Sequence, residues 1–264
     1  TDLELEIDDP VAVIRLNRPE KLNAFTYDTL AQIRSAVDEA AADPAVVGIV
    51  ITGNGRGFSA GLDSSTLMSV TSSKGEGRAQ TPEDEVPGLF TYFLAVPKPI
   101  IAAVNGVAAG GGLVLAAMCD LRFASTNASF TTTFLKRGLI AEHGMSWLLP
   151  RMLGPGRALD LLWTSERIDA QRALEVGLVE YLCQPEELLR RARDYVVKLA
   201  ASASPASVAD TKRLVYAHLG MAYPEALREA DRVQWAAIAR PDAEEGARAL
   251  LEKREPQFAR LGST

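Results

Sequence analysis

Three consecutive glycines, Gly110 to Gly112, stand near the head of an apolar run that ends at Met118. With no Cβ at three positions in a row, the backbone there can turn through left-handed conformations and lie directly against another backbone. The apolar residues that follow predict a helix from Gly111 or Gly112 to about Met118, which makes the glycines its first turn. The N–H groups of a first helical turn have no partner inside the helix and sit at the positive end of its dipole. Such a turn stabilises a negatively charged oxygen without any charged side chain. The wider stretch from Val104 to Met118 also contains Asn105 and Gly106 and is too short to cross a membrane.

Strand and helix signals surround this turn. Leu3 to Ile7 and Val11 to Leu16 flank Asp8-Asp9-Pro10 and read as a hairpin. Thr26 predicts the N-cap of a helix that reaches about Ala42, with Leu30, Ile33 and Val37 at helical spacing. Val46 to Thr52 and Ile100 to Val104 are continuous apolar or β-branched runs, the pattern of strands buried on both faces of a parallel sheet. Leu121 to Ala124 reads as a third such strand. Strands separated by helical crossovers make this an α/β chain. Beyond Pro185 the pattern changes to charged, alanine-rich helices at roughly 186 to 201, 205 to 219, 224 to 239 and 242 to 253, an appendage suited to packing or assembly. Residues 64 to 88 are polar with little periodicity and read as a mobile surface segment of the kind that covers a site.

The charge balance narrows the function. With 34 acidic and 28 basic residues the net charge is -6, which argues against broad nucleic-acid binding. The two cysteines, Cys119 and Cys183, lie far apart without metal-ligand spacing; two buried thiols in a reducing compartment are expected, and no metal site. The sequence Thr1-Asp-Leu-Glu-Leu-Glu is acidic where a signal peptide would be basic, so a cytoplasmic protein is expected.

A second glycine-rich turn, Gly53-Asn-Gly-Arg-Gly-Phe-Ser-Ala-Gly-Leu-Asp63, follows the strand predicted at Val46 to Thr52. Two strand-to-helix turns that each offer a backbone N–H to one oxygen form an oxyanion hole. Here the sequence resembles the crotonase, or enoyl-CoA hydratase/isomerase, superfamily. The matching pieces, in the family's order, are Leu16-Asn-Arg-Pro-Glu-Lys-Leu-Asn-Ala24, Phe58-Ser-Ala-Gly-Leu-Asp63, Lys98-Pro-Ile-Ile-Ala-Ala-Val-Asn-Gly106, Gly110-Gly-Gly112, Cys119-Asp120 and Glu252-Lys-Arg254.

The resemblance implies a crotonase-like spiral core of ββα units over residues 1–195, holding an acyl-CoA site, and a C-terminal helical trimerisation region over 196–264. It implies a homotrimer or a hexamer built from two trimers. The thioester oxygen of a coenzyme A substrate would lie between the N–H groups of Leu62 and Gly111, with no permanently bound cofactor. Lys21, Leu22, Ala60 and Asp63 would line the adenine and pantetheine end, and Lys253 and Phe258 would reach the CoA of a neighbouring copy.

Hydratases of this family carry two glutamates, one three residues after the oxyanion glycine and one twenty residues further on. By that correspondence the two positions here are Val114 and Phe134, neither of which can exchange a proton. Eight residues beyond Phe134 stands Glu142, where the resemblance to dienoyl-CoA isomerases and aryl-CoA dehalogenases places a catalytic carboxylate. Glu142 is the expected acid/base, with His143 as a helper or orienter. Other readings stay open: an acyl-CoA-binding protein without turnover, a thioester hydrolase in which Glu142 attacks covalently, and a Gly57-Phe-Ser-Ala-Gly61 nucleophile elbow, disfavoured because four residues separate its glycine from the preceding strand.

Overall fold

The computed structural model describes residues 1–73 and 86–262. The predicted hairpin is β1 (Leu3–Asp8) and β2 (Val11–Leu16), paired antiparallel, and Thr26 caps α1 (Tyr27–Ala42) by accepting the Thr29 N–H at 3.2 Å. Three turns of a ββα pattern follow. The first is β3 (Gly48–Gly53), β4 (Gly57–Ser59) and α2 (Ser64–Ser72); the second is β5 (Ile100–Val104), β6 (Val107–Ala109) and α3 (Gly111–Met118). The third is β7 (Leu121–Ser125), β8 (Ser129–Thr131), α4 (Met145–Leu153) and α5 (Pro155–Thr164). After β9 (Ile168–Asp169), α6 (Ala170–Val176) and β10 (Tyr181–Cys183) come α7 (Leu188–Ser202), α8 (Pro205–His218), α9 (Tyr223–Ile238) and α10 (Pro241–Glu252).

In each unit the first strand joins a six-stranded sheet, ordered β1-β2-β3-β5-β7-β10, and the second joins a four-stranded sheet, ordered β4-β6-β8-β9. Apart from the β1–β2 and β8–β9 pairs, all neighbours run parallel. Strands β3 and β5 at the centre of the large sheet are apolar on both faces for a physical reason. Ile49 and Ile51 join the core that contains α1, α3 and the small sheet, while Val50, Ile101 and Phe123 face a second core completed by Leu188, Ala192 and Val196 of α7. Gly48 lets α7 approach: a Cβ there would lie 2.9 Å from Val196 Cγ2.

The structure departs from the sequence reading in residues 64 to 72. They form α2, capped by Asp63, instead of an irregular segment, and the 74–85 part of that expectation lies outside the described residues. Residue 195 lies inside α7, and the chain beyond Ser202 consists of α8 to α10. Cys119 and Cys183 are free and buried.

Asp120, at the end of α3, ties the helical appendage to the sheet. Its carboxylate accepts the Ile100 N–H at 2.7 Å, the Lys212 ammonium at 2.7 Å and the Tyr216 hydroxyl at 2.9 Å. The Lys212 side chain is only 8% exposed, so removing its partner strands a buried charge. Asp120→Ala should therefore lower the unfolding free energy by about 3 kcal/mol, and Asp120→Ala with Lys212→Met should recover much of it. Denaturant unfolding at fixed protomer concentration checks this; equal losses in the single and double variants would contradict it.

Candidate active site

The two glycine turns meet. Gly61 has φ +85°, and a Cβ there would stand 2.6 Å from the Ala109 carbonyl oxygen and 2.7 Å from the Gly111 nitrogen. A Cβ on Gly111 would lie 3.4 Å from Gly61 Cα and 3.5 Å from the Leu62 nitrogen. Gly112 is packed tighter still: its Cβ would overlap the Ser59 carbonyl oxygen at 2.1 Å. At Gly61 and Gly112 only glycine permits this approach, and it brings the Gly61-Leu62 backbone against the first residue of α3.

Each N–H is kept available by its own element. Leu62 forms an isolated parallel bridge with Phe25, in which the Phe25 N–H donates to the Gly61 carbonyl at 2.7 Å and the Asp63 N–H donates to the Phe25 carbonyl at 2.8 Å. That pattern occupies the groups on either side and leaves Leu62's own N–H pointing away from Phe25. Gly111 is the first residue of α3, entered through Gly110 at φ +52°, so its N–H belongs to the unpaired first turn. Seven of the eight residues of α3, from Gly112 to Met118, are buried, so the helix end is held rigidly in an apolar surround.

Two asparagines pin the turn between β3 and β4. The Asn23 amide donates to the Asn54 and Gly57 carbonyls at 3.0 and 2.8 Å. Asn105 accepts the Gly53 N–H at 3.0 Å and donates to the Gly55 and Gly57 carbonyls at 3.0 and 3.2 Å. Both asparagines lie in the motifs read from the sequence, but their bridging work had no signal there. Ser59 is fully buried; its hydroxyl donates to the Asn23 carbonyl at 2.8 Å and accepts the Gly61 N–H at 3.1 Å. Its hydroxyl serves the turn through backbone partners, whereas an activated nucleophile is held by a base.

Around this edge the structure gathers most of the expected residues. Leu22 and Ala60 are joined, the Ala60 N–H donating to the Leu22 carbonyl at 2.9 Å, and Lys21 ends the short 3-10 turn just before Leu22. Asp63 accepts the Ser65 N–H at 3.0 Å and the Ser65 hydroxyl at 2.7 Å, which hold its carboxyl below the ordinary range. Lys253 and Phe258 sit with the C-terminal helices instead. Lys253 is the left-handed C-cap of α10, and Phe258 packs near Gly246 and lines a cavity of about 770 Å³ with residues of α8 and α9.

Glu142 and His143 occupy the turn into α4. His143 has φ +52° and Gly144 φ +85°, and a Cβ on Gly144 would lie 2.7 Å from Met118 Cε, so this turn is seated on the same α3 helix that begins at Gly111. His143 Nε2 stands 3.6 Å from a Glu142 carboxylate oxygen, an ion pair only when the imidazole is protonated. Burial pushes the Glu142 carboxyl above its ordinary value. Val114 and Phe134 are both buried in the main apolar core. Among the described residues no group of three or more His, Cys, Asp or Glu side chains is arranged to hold a metal ion.

Sequence reasoning missed Leu89. Its Cδ1 lies 3.6 Å from the point where a Gly111 Cβ would stand, a point that is 3.5 Å from the Leu62 nitrogen. One leucine at the edge of a segment without periodicity carried no signal.

The relationships of the chain agree with this geometry. Residues 6–260 match the family model described as enoyl-CoA hydratase/isomerase. The chain is 36% identical over 256 residues to a crotonyl-CoA hydratase of Syntrophomonas wolfei, covering 96% of both chains. It is 35% identical over 257 residues to a probable enoyl-CoA hydratase of Bacillus subtilis, covering 97% of this chain and 98% of that one. Among solved structures, a putative enoyl-CoA hydratase/isomerase family protein from Hyphomonas neptunium superposes with a TM-score of 0.87 at 34% identity, covering 98% of this chain and 97% of that chain.

The raised Glu142 carboxyl has a definite sign in stability. A folded-state pKa above the unfolded value means that the native state binds the proton more tightly, so stability falls as pH rises from the unfolded value through the folded one. Glu142→Gln removes that dependence. The variant should gain thermal stability relative to the parent as pH rises above the ordinary carboxylate value of 4.5, measured as the difference in unfolding midpoints across a pH series. A pH-independent difference would contradict the burial of this carboxyl.

Proposed function

The chain belongs to the enoyl-CoA hydratase/isomerase family, and on that premise we propose that it binds an enoyl thioester of coenzyme A and moves a proton on it with Glu142. The observation that carries this reading is the glycine-built contact that sets the Gly61-Leu62 backbone against Gly111 at the start of α3. Removing a proton from the carbon next to a thioester carbonyl, or adding a nucleophile across a conjugated double bond, sends negative charge to the carbonyl oxygen. Losing a single such donor typically costs about 3 kcal/mol of transition-state stabilisation, so a pair at a helix start makes enolate chemistry feasible.

In the proposed isomerisation, the Glu142 carboxylate takes a proton from C2 of a 3-enoyl thioester, and the C2–H electron pair delocalises onto the thioester oxygen between Leu62 and Gly111. Collapse of that dienolate forms the C2=C3 bond as the C3=C4 pair takes the proton back from Glu142 at C4. One carboxylate does both transfers, and burial raises its pKa in the direction that helps it return the proton. Hydration of a 2-enoyl thioester would use the same oxyanion hole with Glu142 activating water. With Val114 and Phe134 read as replacements of the family's two glutamates, Glu142 is the group left for either reaction. His143 would orient it.

On this reading coenzyme A is part of the substrate and no resident cofactor is required. Lys21, Leu22, Ala60 and Asp63 line its adenine and pantetheine end, and Lys253 and Phe258 come from a neighbouring copy. Residues 1–195 carry the site and residues 196–264 the assembly surface. The C-terminal helices expose Val215, Leu227, Trp235, Leu250 and Leu251, which suits a homotrimer or a pair of trimers. The acidic composition and buried thiols fit a cytoplasmic enzyme that binds no nucleic acid.

Glu142→Gln should lower turnover of enoyl-CoA thioesters by about 100-fold or more while leaving thioester binding intact. Mass spectrometry of the products separates isomerisation, hydration and hydrolysis; unchanged turnover in the variant would overturn the assignment, and an acyl group trapped on Glu142 would favour the hydrolase. Trp235→Glu combined with Leu251→Glu should reduce the particle to monomers in light scattering and weaken CoA binding.

A further inference from the structure

We propose that Leu89 is a specificity-determining residue: its side chain walls the oxyanion hole and limits substitution on the carbon next to the thioester carbonyl. The inference rests on the thioester reading of Leu62 and Gly111 and adds to it the shape of the acyl group accepted. Three atoms surround the point where a Gly111 Cβ would stand: Gly61 Cα at 3.4 Å, the Leu62 nitrogen at 3.5 Å and Leu89 Cδ1 at 3.6 Å. The first two belong to the backbone of the hole. Leu89 is the side chain set against it.

The position is held from both sides. Phe90 is fully buried, with its ring 5.6 Å from those of Phe25 and Phe93, and Phe25 is the residue bridged to Leu62. Gly88, at φ +136°, lies so close to Thr91 that a Cβ would be 2.7 Å from Thr91 Cγ2, and the Thr91 hydroxyl donates to the Val86 carbonyl at 2.9 Å. The turn before Leu89 and the anchor after it therefore fix its backbone. Leu89 itself is half-buried, packed on the core with part of its surface left over. An anchored apolar side chain with free surface at the contact between Gly111 and the Gly61-Leu62 backbone has two consequences on this reading. It keeps water from the oxygen, where a low local dielectric strengthens both hydrogen bonds. It also occupies space that a branch next to the carbonyl would need.

The distinction is one methyl group, which an apolar pocket separates by about 10-fold or more. The test measures calorimetric binding of butanoyl-CoA and 2-methylbutanoyl-CoA, saturated thioesters that cannot be isomerised, to the parent protein, Leu89→Ala and Leu89→Val. The parent is expected to favour the linear thioester by about 10-fold or more. Leu89→Ala should narrow that preference to about threefold or less through tighter binding of the branched thioester, with Leu89→Val in between. Circular dichroism and unfolding midpoints confirm that each variant folds, and Leu89→Val carries the test if Leu89→Ala does not. An unchanged ratio in the folded variants, or no preference in the parent, overturns the role of Leu89 and leaves the thioester site standing. A parent protein that binds neither thioester overturns the site itself and the inference with it.

Discussion

Everything at the candidate site depends on two backbones touching where no side chain fits. Gly61 and Gly111 come from turns about fifty residues apart, and a Cβ on Gly61 would fall 2.7 Å from the Gly111 nitrogen. Contact of this kind is not stabilised by the glycines themselves, which lose more conformational freedom on folding than any other residue. The surroundings hold it. Asn23 and Asn105 bind the β3–β4 turn from two sides, Phe25 brackets Leu62, and Ser59 returns a hydroxyl to Gly61. On the other side α3 is buried almost all round, so a shift of its first turn would disturb the packing of the main core.

The same contact explains why the two sheets are unequal. Strands β3 and β5 of the large sheet are covered on both faces and read as unbroken apolar runs, which is why they were legible in the sequence. Strands β4, β6 and β8 have three residues each, too short to show alternation, and their job is to lead the chain into the turns. The α/β class, the two glycine turns and the C-terminal helices could be read directly. Helix α2 could not, because it buries no residue and has no apolar stripe; only Asp63, its N-cap, lay in a recognisable motif. Asn23 and Leu89 were invisible for another reason: their importance comes from what lies beside them in space, thirty or more residues away for Asn23 and Gly57 and more than twenty for Leu89 and Gly111.

Charge is distributed so that the proposed oxyanion site would rely on dipoles. The strongly held ionic groups do structural work elsewhere: Asp120 with Lys212 fastens α8 to the sheet, Arg122 with Glu180 joins β7 to the approach to β10, and the buried Lys98 ammonium caps carbonyls at the end of α1. Each is tied to a partner that it would cost several kcal/mol to strip away. The partners that meet the Leu62 and Gly111 turns are amides, carbonyls, the Ser59 hydroxyl and apolar side chains, with Arg18 reaching the Asp63 carboxylate at the end of the turn, 3.7 Å away. Fixed dipoles of this sort are already oriented before charge appears, so little reorganisation is needed when it does.

That arrangement bears on the single carboxylate of the proposed reaction. Two glutamates in one pocket repel each other when both are ionised, and their protons are lost in coupled steps. Val114 and Phe134 carry no charge, and the raised pKa of Glu142 comes from burial. His143, 3.6 Å away, is the ionisable neighbour of this carboxyl, and a group that must both accept and return a proton works best when neither direction is strongly downhill. The seat of Gly144 on Met118 makes the turn carrying Glu142 part of the α3 packing. One helix thus supports both halves of the proposed chemistry, the oxyanion donor at its first residue and the proton carrier against its last.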